Sequence, residues 1–460
     1  MKQPFSILLR SLAAGMTTLL LASPLNAADY YVSSAGSDAA TGGADDPWQS
    51  MSKVNATTLQ PGDRVLFRRG DRWAESLIPR SSGAAGSPIT YDAYGEGPLP
   101  VITGLPNQHC ISWETTRSYL VFRHLHLQGC GQPNGSKKGG ISVWSETAAS
   151  RDIIIEESVL EDAQTWNMYL TGVDGLRIRG NIIRNAELEH GIYLDGTLGM
   201  NDAIIEENDI HGNADMCVQF NSNARQRLTN LILRYNRLHD CGLGGLNNIG
   251  ADGLLAHHNL FYGAMPAIYN GCDGDDNGCN HGATAGVYVN NTLLTSGENW
   301  ATCFSNTSPL GAPDFSVFVN NICVQDAARG PAFEHAELTS GQRVDYNLFF
   351  SNLTAEPRFV WNGRDYTGFE SYRDGSGNET NGLFANPVFV NPIDKDFQLG
   401  AESPAIDSGA DFGFSRDLAG QPVPTGNGPD RGAFEATSAN GGEEEPPAIP
   451  GGLQIEFDES

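Results

Sequence analysis

The chain has 460 residues, 40% of them apolar, with 55 acidic against 28 basic side chains and a net charge of −27. That balance repels nucleic acid and anionic membrane surfaces and argues against either as a partner. After the N-terminus, no stretch approaches the roughly 18 consecutive apolar residues that a membrane-spanning helix needs.

Residues 1–28 read as an export signal. Lys2 and Arg10 precede an apolar run through Leu19-Leu20-Leu21, small residues follow at Ala27-Ala28, and the run is too short for an anchor. Cleavage removes two basic and no acidic residues, which moves the net charge from −27 to −29. A secreted protein, extracellular or periplasmic, is expected, and a monomer. Eight cysteines in such a chain suggest disulfides rather than metal ligation. Cys272 and Cys279 bracket a short loop; Cys110 with Cys130, and Cys303 with Cys323, are each 20 residues apart, close to one turn of the repeat that follows.

From Phe122 onward one template recurs: apolar, two variable residues, usually Asn, one variable residue, apolar. It runs from Phe122…Leu125…Leu127 through Ile178…Asn181…Ile183 to Val344…Asn347…Phe349, nine copies spaced by 23 to 33 residues. Seven carry Asn at the centre: Asn181, Asn208, Asn236, Asn259, Asn291, Asn321 and Asn347. Periods in this range mark a solenoid, and short Val- and Ile-rich segments broken by Gly and Asn suit strands better than helices. The fold expected is all-β, a single-stranded right-handed parallel β-helix over residues 29–436. Its coils stack about 4.8 Å apart, so one inward Asn per coil forms a ladder that satisfies buried amides. The residue after the first apolar position points outward and reads Arg123, Glu156, Arg179, Glu206, Arg234, His257, an alternation of sign that predicts an ion-pair ladder.

A second strand follows each Asn by about eleven residues: "NMYLTG" (167–172), "GIYLDG" (191–196), "CVQFNS" (217–222), then "GLNNIG" and "AIYNG". Alternation turns Met168, Leu170, Ile192, Leu194, Val218 and Phe220 inward. The outward column is Tyr169, Tyr193, Gln219, Asn247 and Tyr269, with Thr171, Asp195 and Asn221 beside it. Aromatic rings stack on sugars and amides suit hydroxyls, so this face is the candidate polysaccharide groove.

The opening, "YYVSSAGSDAATGGADDPWQSMSKV", with "LQPGDRVLFRRGDRWAESL" and "GSPITYDAYGEGPLPVITG", resembles the N-terminal coils of secreted β-helix proteins of the pectate-lyase-like superfamily. "FQLGAESPAIDSGAD…DRGAFEA" looks like their closing coil. The resemblance implies the fold and an activity among polysaccharide lyases, epimerases and hydrolases. The "DPH" of alginate epimerases and the "NTD", "GHG" and "RIK" of polygalacturonases are missing. No lysine occurs between Lys138 and Lys395, so a lysine base would have to be Lys137 or Lys138, reaching in from a loop.

The expected function is therefore a lyase that cleaves uronate-containing polysaccharide by β-elimination. His190 is the candidate base and Tyr193 the acid, with Gln219, Asn221, Arg225 or a cation neutralising the carboxylate. The alternatives are a hydrolase, using Asp195 and Asp215 as paired carboxyls, or an epimerase; a non-catalytic glycan-binding protein would use the same face. In "CDGDDNGCN", Asp273, Asp275 and Asn277 match the opening of a Ca²⁺ loop, although the twelfth position is Thr284 rather than Glu. His257, His258 and His281 offer a weaker transition-metal reading. Residues 437–460 form an acidic, Pro- and Gly-rich tail of linker-like composition.

Overall fold

A computed structural model describes residues 27–436 apart from 133–136, 145–147, 223–226, 264–265, 273–281 and 308–312. The repeat becomes one chain wound through three parallel sheets, each coil placing a strand in each sheet. In a central coil these strands are Leu176–Arg179, Ile182–Arg184 and Ile192–Asp195. The first sheet runs from Asp29–Val32 to Arg343–Asp345 and the second from Arg72–Trp73 to Leu383–Phe384. The third runs from Ile111–Trp113 to Arg358–Trp361, where Arg364–Thr367 adds an antiparallel edge.

Registry between coils follows the apolar template. Ile178, Ile205, Leu233 and Ala256 are consecutive partners in the first sheet, all turned into one buried core. The sharp corner between the first and second sheets has a fixed recipe. The residue before each ladder position takes a positive φ: +49° at Glu157, +59° at Glu207, +56° at Tyr235 and +51° at His258. Gly180 does the same before Asn181 at +63°, with none of the strain a Cβ brings there.

The Asn column forms the ladder expected of it. Asn208 receives the backbone N–H and the Nδ2 of Asn181 on its Oδ1, each at 3.0 Å, and passes its own pair to Asn236. The pattern repeats through Asn259, Asn291 and Asn321 to Asn347, and Ser158 continues it downward by receiving the Leu125 amide. At the top stands a carboxyl: Glu379, fully buried, takes the Asn347 amide at 3.1 Å and its Nδ2 at 2.7 Å.

Outside, Glu156 lies between Arg123 (3.9 Å) and Arg179 (3.0 Å), and Arg234 pairs with Glu206 (2.7 Å), so the alternating charges neutralise one another. His257 keeps its place in this column as the register partner of Arg234, but it is covered rather than ion-paired. It is buried and stacks on Phe414 of the C-terminal segment at 4.4 Å. That segment doubles back as a strap. Arg416 packs on Tyr235 and pairs with Glu207, the Asp430 carbonyl accepts from Asn290, and Arg431 donates to the carbonyls of Asn347 and Asn381.

Solenoid ends need covers. At the far end helix Phe369–Ser376 lays Phe369 and Tyr372 on the core, Tyr372 stacking on Phe359 at 4.7 Å. Disulfides Cys110–Cys130 and Cys303–Cys323 form as the spacing predicts, each tying the third-sheet side of one coil to the second-sheet side of the next. Cys217–Cys241, which the sequence left unassigned, does the same. Cys272 is also disulfide-bonded, while its expected partner Cys279 lies outside the described residues. Among the described residues no helix is long and apolar enough to cross a membrane.

Candidate functional site

The third sheet carries the outward column in the order alternation predicts. Ser142 pairs with Tyr169, Tyr169 with Tyr193, Tyr193 with Gln219, Gln219 with Asn247, and Asn247 with Tyr269. Thr171, Asp195 and Asn221 form the flanking column in the same register.

At its lower end this face opens into a cleft of about 430 Å³, lined by His109, Trp113, Lys138, Trp144, Trp166, Tyr169, Glu189, Tyr193 and Asp195 among others. Tyr169 is its hub. Trp144 stacks on it at 5.9 Å, Trp166 leans on it at 4.7 Å, and Tyr193 meets it edge-on at 5.1 Å. The Tyr169 hydroxyl donates to Asp195 Oδ2 at 2.9 Å, and burial together with that carboxylate raises its pKa far above the usual phenol value. The other Asp195 oxygen takes the Thr197 amide at 2.8 Å and hydroxyl at 2.6 Å, so both oxygens of the buried carboxylate are held. Asn221 donates to the Tyr193 hydroxyl at 2.9 Å. The Trp166 indole nitrogen is buried on the cleft wall with no partner among the described residues. Gly139 allows this packing, since a Cβ there would lie 1.9 Å from the Trp166 carbonyl oxygen.

Charge in the cleft is mixed. Glu114, Glu189 and Asp195 face Lys137 and Lys138, and Lys137 lies 3.8 Å from Glu189. The two lysines that precede the lysine-free coils thus do reach the face from their loop. Asp215 sits 3.7 Å from His190, and burial plus the neighbouring Glu189 raises its carboxyl above the usual range.

His190 is placed differently from what a base on the groove requires. It is buried, it is absent from the cleft lining, and its Nδ1 accepts the Met216 amide at 3.3 Å. Burial pulls its pKa down to about 4. His109 repeats the arrangement lower down: its Nδ1 accepts the Gly139 amide at 3.0 Å, and burial and then Lys138 bring it to about 4. Gln219, Asn247 and Tyr269 share the face but stand above the cleft, Asn247 donating to Gln219 at 3.0 Å and Tyr269 to the Thr307 carbonyl at 2.9 Å. Arg225, His281 and the Ca²⁺-loop residues Asp273, Asp275 and Asn277 lie outside the described residues. His257 and His258 face each other at 3.0 Å rather than a set of carboxylates.

Sequence reasoning missed His109, Glu114, Trp144, Trp166 and Glu189. The signal was partly present. "CISW" and "GISVW" are earlier members of the second-strand series, with Ser112 and Ser142 in register below Tyr169.

Residues 109–294 match the family model described as right handed beta helix region. The fold is thus a right-handed parallel β-helix. An uncharacterized protein of Bacillus subtilis (strain 168), YwoF, is 23% identical over 82% of this chain and 92% of its own length. Among solved structures, the pectate lyase Pel9A superposes with a TM-score of 0.58 at 14% identity, covering 89% of this chain and 96% of that one. A GH136 lacto-N-biosidase from Eubacterium ramulus superposes at 0.50 with 16% identity, covering 70% of this chain and 64% of that one.

Proposed function

We propose that the protein is an exported glycan-cleaving enzyme whose substrate lies across the stacked coils in the third-sheet cleft. The observation that carries this reading is the joining of an aromatic platform, Trp144–Tyr169–Trp166, to the buried Asp195 carboxylate through the Tyr169 hydroxyl. The rings offer apolar faces to sugar rings. The unpartnered Trp166 N–H offers a donor to a sugar hydroxyl. The solved structures of similar fold include enzymes named as a pectate lyase and a lacto-N-biosidase, which accords with carbohydrate chemistry on this scaffold.

Hydrolysis fits the side chains best. It requires two carboxyl groups about a scissile bond, one of them holding a proton. Asp195 supplies the carboxylate. Glu189 on the cleft wall supplies the second, while Asp215, beside His190, stands off the cleft lining. Three carboxyl groups against two lysines would also repel a polyuronate that arrives without a cation.

Elimination is the second reading, favoured by Lys137 and Lys138 on the cleft, which could neutralise a uronate and take its proton while Tyr193 protonates the leaving oxygen. A panel of neutral and uronate-containing polysaccharides separates the two. Hydrolysis yields reducing ends without the ultraviolet absorbance of an unsaturated uronate, and elimination yields both. Asp195→Asn should cost about 10²–10⁴-fold in turnover with the circular dichroism unchanged. Glycan binding without either product on the whole panel would make this a binding protein and end the enzymatic reading.

A further inference from the structure

We propose a divalent transition-metal site on the outer face of the second sheet, away from the cleft, formed by Asp209, His211 and His239. Asp209 and His211 lie on strand Asp209–His211, and His239 lies on Arg237–His239 of the next coil, with His211 and His239 direct register partners. Their ligand atoms converge. Asp209 Oδ1 is 3.1 Å from His211 Nδ1 and 3.0 Å from His239 Nε2, and the three atoms lie within 4.8 Å of one another.

A tetrahedral ion bound about 2.0–2.2 Å from each ligand atom requires ligand atoms about 3.3 Å apart. The cluster is thus close to a binding geometry without rearrangement of the backbone. Two imidazoles and one carboxylate suit Zn²⁺, Ni²⁺ or Cu²⁺ rather than Ca²⁺ or Mg²⁺, which take oxygen. Half-exposed Asp209 (42%) leaves the remaining coordination positions to water.

The surroundings hold the ligands in place. His239 turns its other nitrogen, Nδ1, to Asp240 Oδ2 at 2.8 Å, the carboxylate–histidine arrangement that orients a metal-binding imidazole and strengthens it as a ligand. The rings of His211, His239 and Tyr262 form a continuous stack at 4.6 and 4.4 Å, which fixes both imidazole planes. Phe397 packs on Tyr262 from outside. Strand pairing gives a second reason for the cluster to act as a unit: an ion bound there would clamp two neighbouring coils together.

Isothermal titration of the tag-free full-length protein with ZnCl₂ tests this, with CaCl₂ as control. One saturable equivalent of Zn²⁺ is expected, accompanied by a rise in melting temperature, with no such effect of Ca²⁺. The double variant His211→Ala/His239→Ala should lose that equivalent, and Asp240→Asn should weaken it by about tenfold or more. The altered side chains face outward, so circular dichroism should match the parent. Should the double variant fail to fold, Asp209→Asn serves in its place, and a Co²⁺-loaded wild type must show the intense visible absorption of a tetrahedral site. Absence of uptake by the wild type, or equal uptake by the variants, would overturn the proposal.

Discussion

His190 and His109 solve one problem twice. Each buries an imidazole at the corner leading into the third sheet, and each offers Nδ1 to a backbone N–H of the neighbouring coil, Met216 in one case and Gly139 in the other. Removing such an acceptor leaves a buried amide unsatisfied, at about 1–3 kcal/mol. His190→Ala should therefore lower stability by that amount in urea denaturation, and lower turnover far less than Asp195→Asn does. Unchanged stability with turnover abolished would restore the histidine as the base. Tyr169→Phe argues the other half of the site: it takes the phenol bond from Asp195 while keeping the ring on Trp144. Sugar binding should survive and turnover should drop. Tyr169, Tyr193 and Asp195 were legible in the sequence because strand alternation alone decides which side chains point outward. Trp144 and Trp166 were not, because they lie on the connections between strands, where no period dictates the path of the chain; Lys137 and Lys138 were legible only as the last lysines before the lysine-free coils.

Among the elements, the Asn ladder dominates. From Asn208 upward each Asn accepts two donors from the coil below and returns its own amide to carbonyls nearby, so one substitution orphans several buried groups together. Asn236 takes the amide and Nδ2 of Asn208 and donates to the Ile205 carbonyl. Asn236→Ala should cost about 3 kcal/mol or more, several orphans at 1–3 kcal/mol each. Asn236→Ser should cost less, since Ser158 already serves as a rung for Leu125. Equal losses in the two variants would mean that side-chain volume, not hydrogen bonding, sets the cost. The ladder was readable because Asn recurs at a fixed place in the template. Its upper end was not: Glu379 belongs to no repeat, and only folding brings it above Asn347. The closing strap was likewise recognisable as a terminal motif but not in its course. Asp417, Asp430 and Glu435 take backbone amides at both oxygens, and those contacts decide how the segment folds back over the coils.

Across the whole molecule, two buried populations oppose each other in pH. Burial depresses His109, His190 and His335 to about 4, His258 to about 3 and His257 to about 2, whereas an unfolded histidine titrates near 6.5. The unfolded chain therefore binds protons first, and their contribution to stability is lost as pH falls from about 6.5 toward 4. Burial raises Glu379 to about 8, Glu435 to about 7 and Asp417 to about 6, so the native state keeps protons that the unfolded chain has released by about pH 5. Their contribution is lost as pH rises through those values. Below about pH 6.5 five histidines outweigh three carboxyls, and above it Glu379 and Glu435 continue to titrate. His124 and His239, both raised by neighbouring carboxylates, steepen the alkaline decline. The melting temperature, scanned in buffers from pH 4.5 to 9, should pass through a maximum near pH 6.5. Glu379→Gln places at the top of the ladder an amide that can receive Asn347 as the lower rungs receive theirs, and should flatten the fall between pH 6 and 8 while leaving the acid limb unchanged. A monotonic profile in the parent, or an unaltered alkaline limb in the variant, would show that the buried cap of the ladder does not govern this side of the curve.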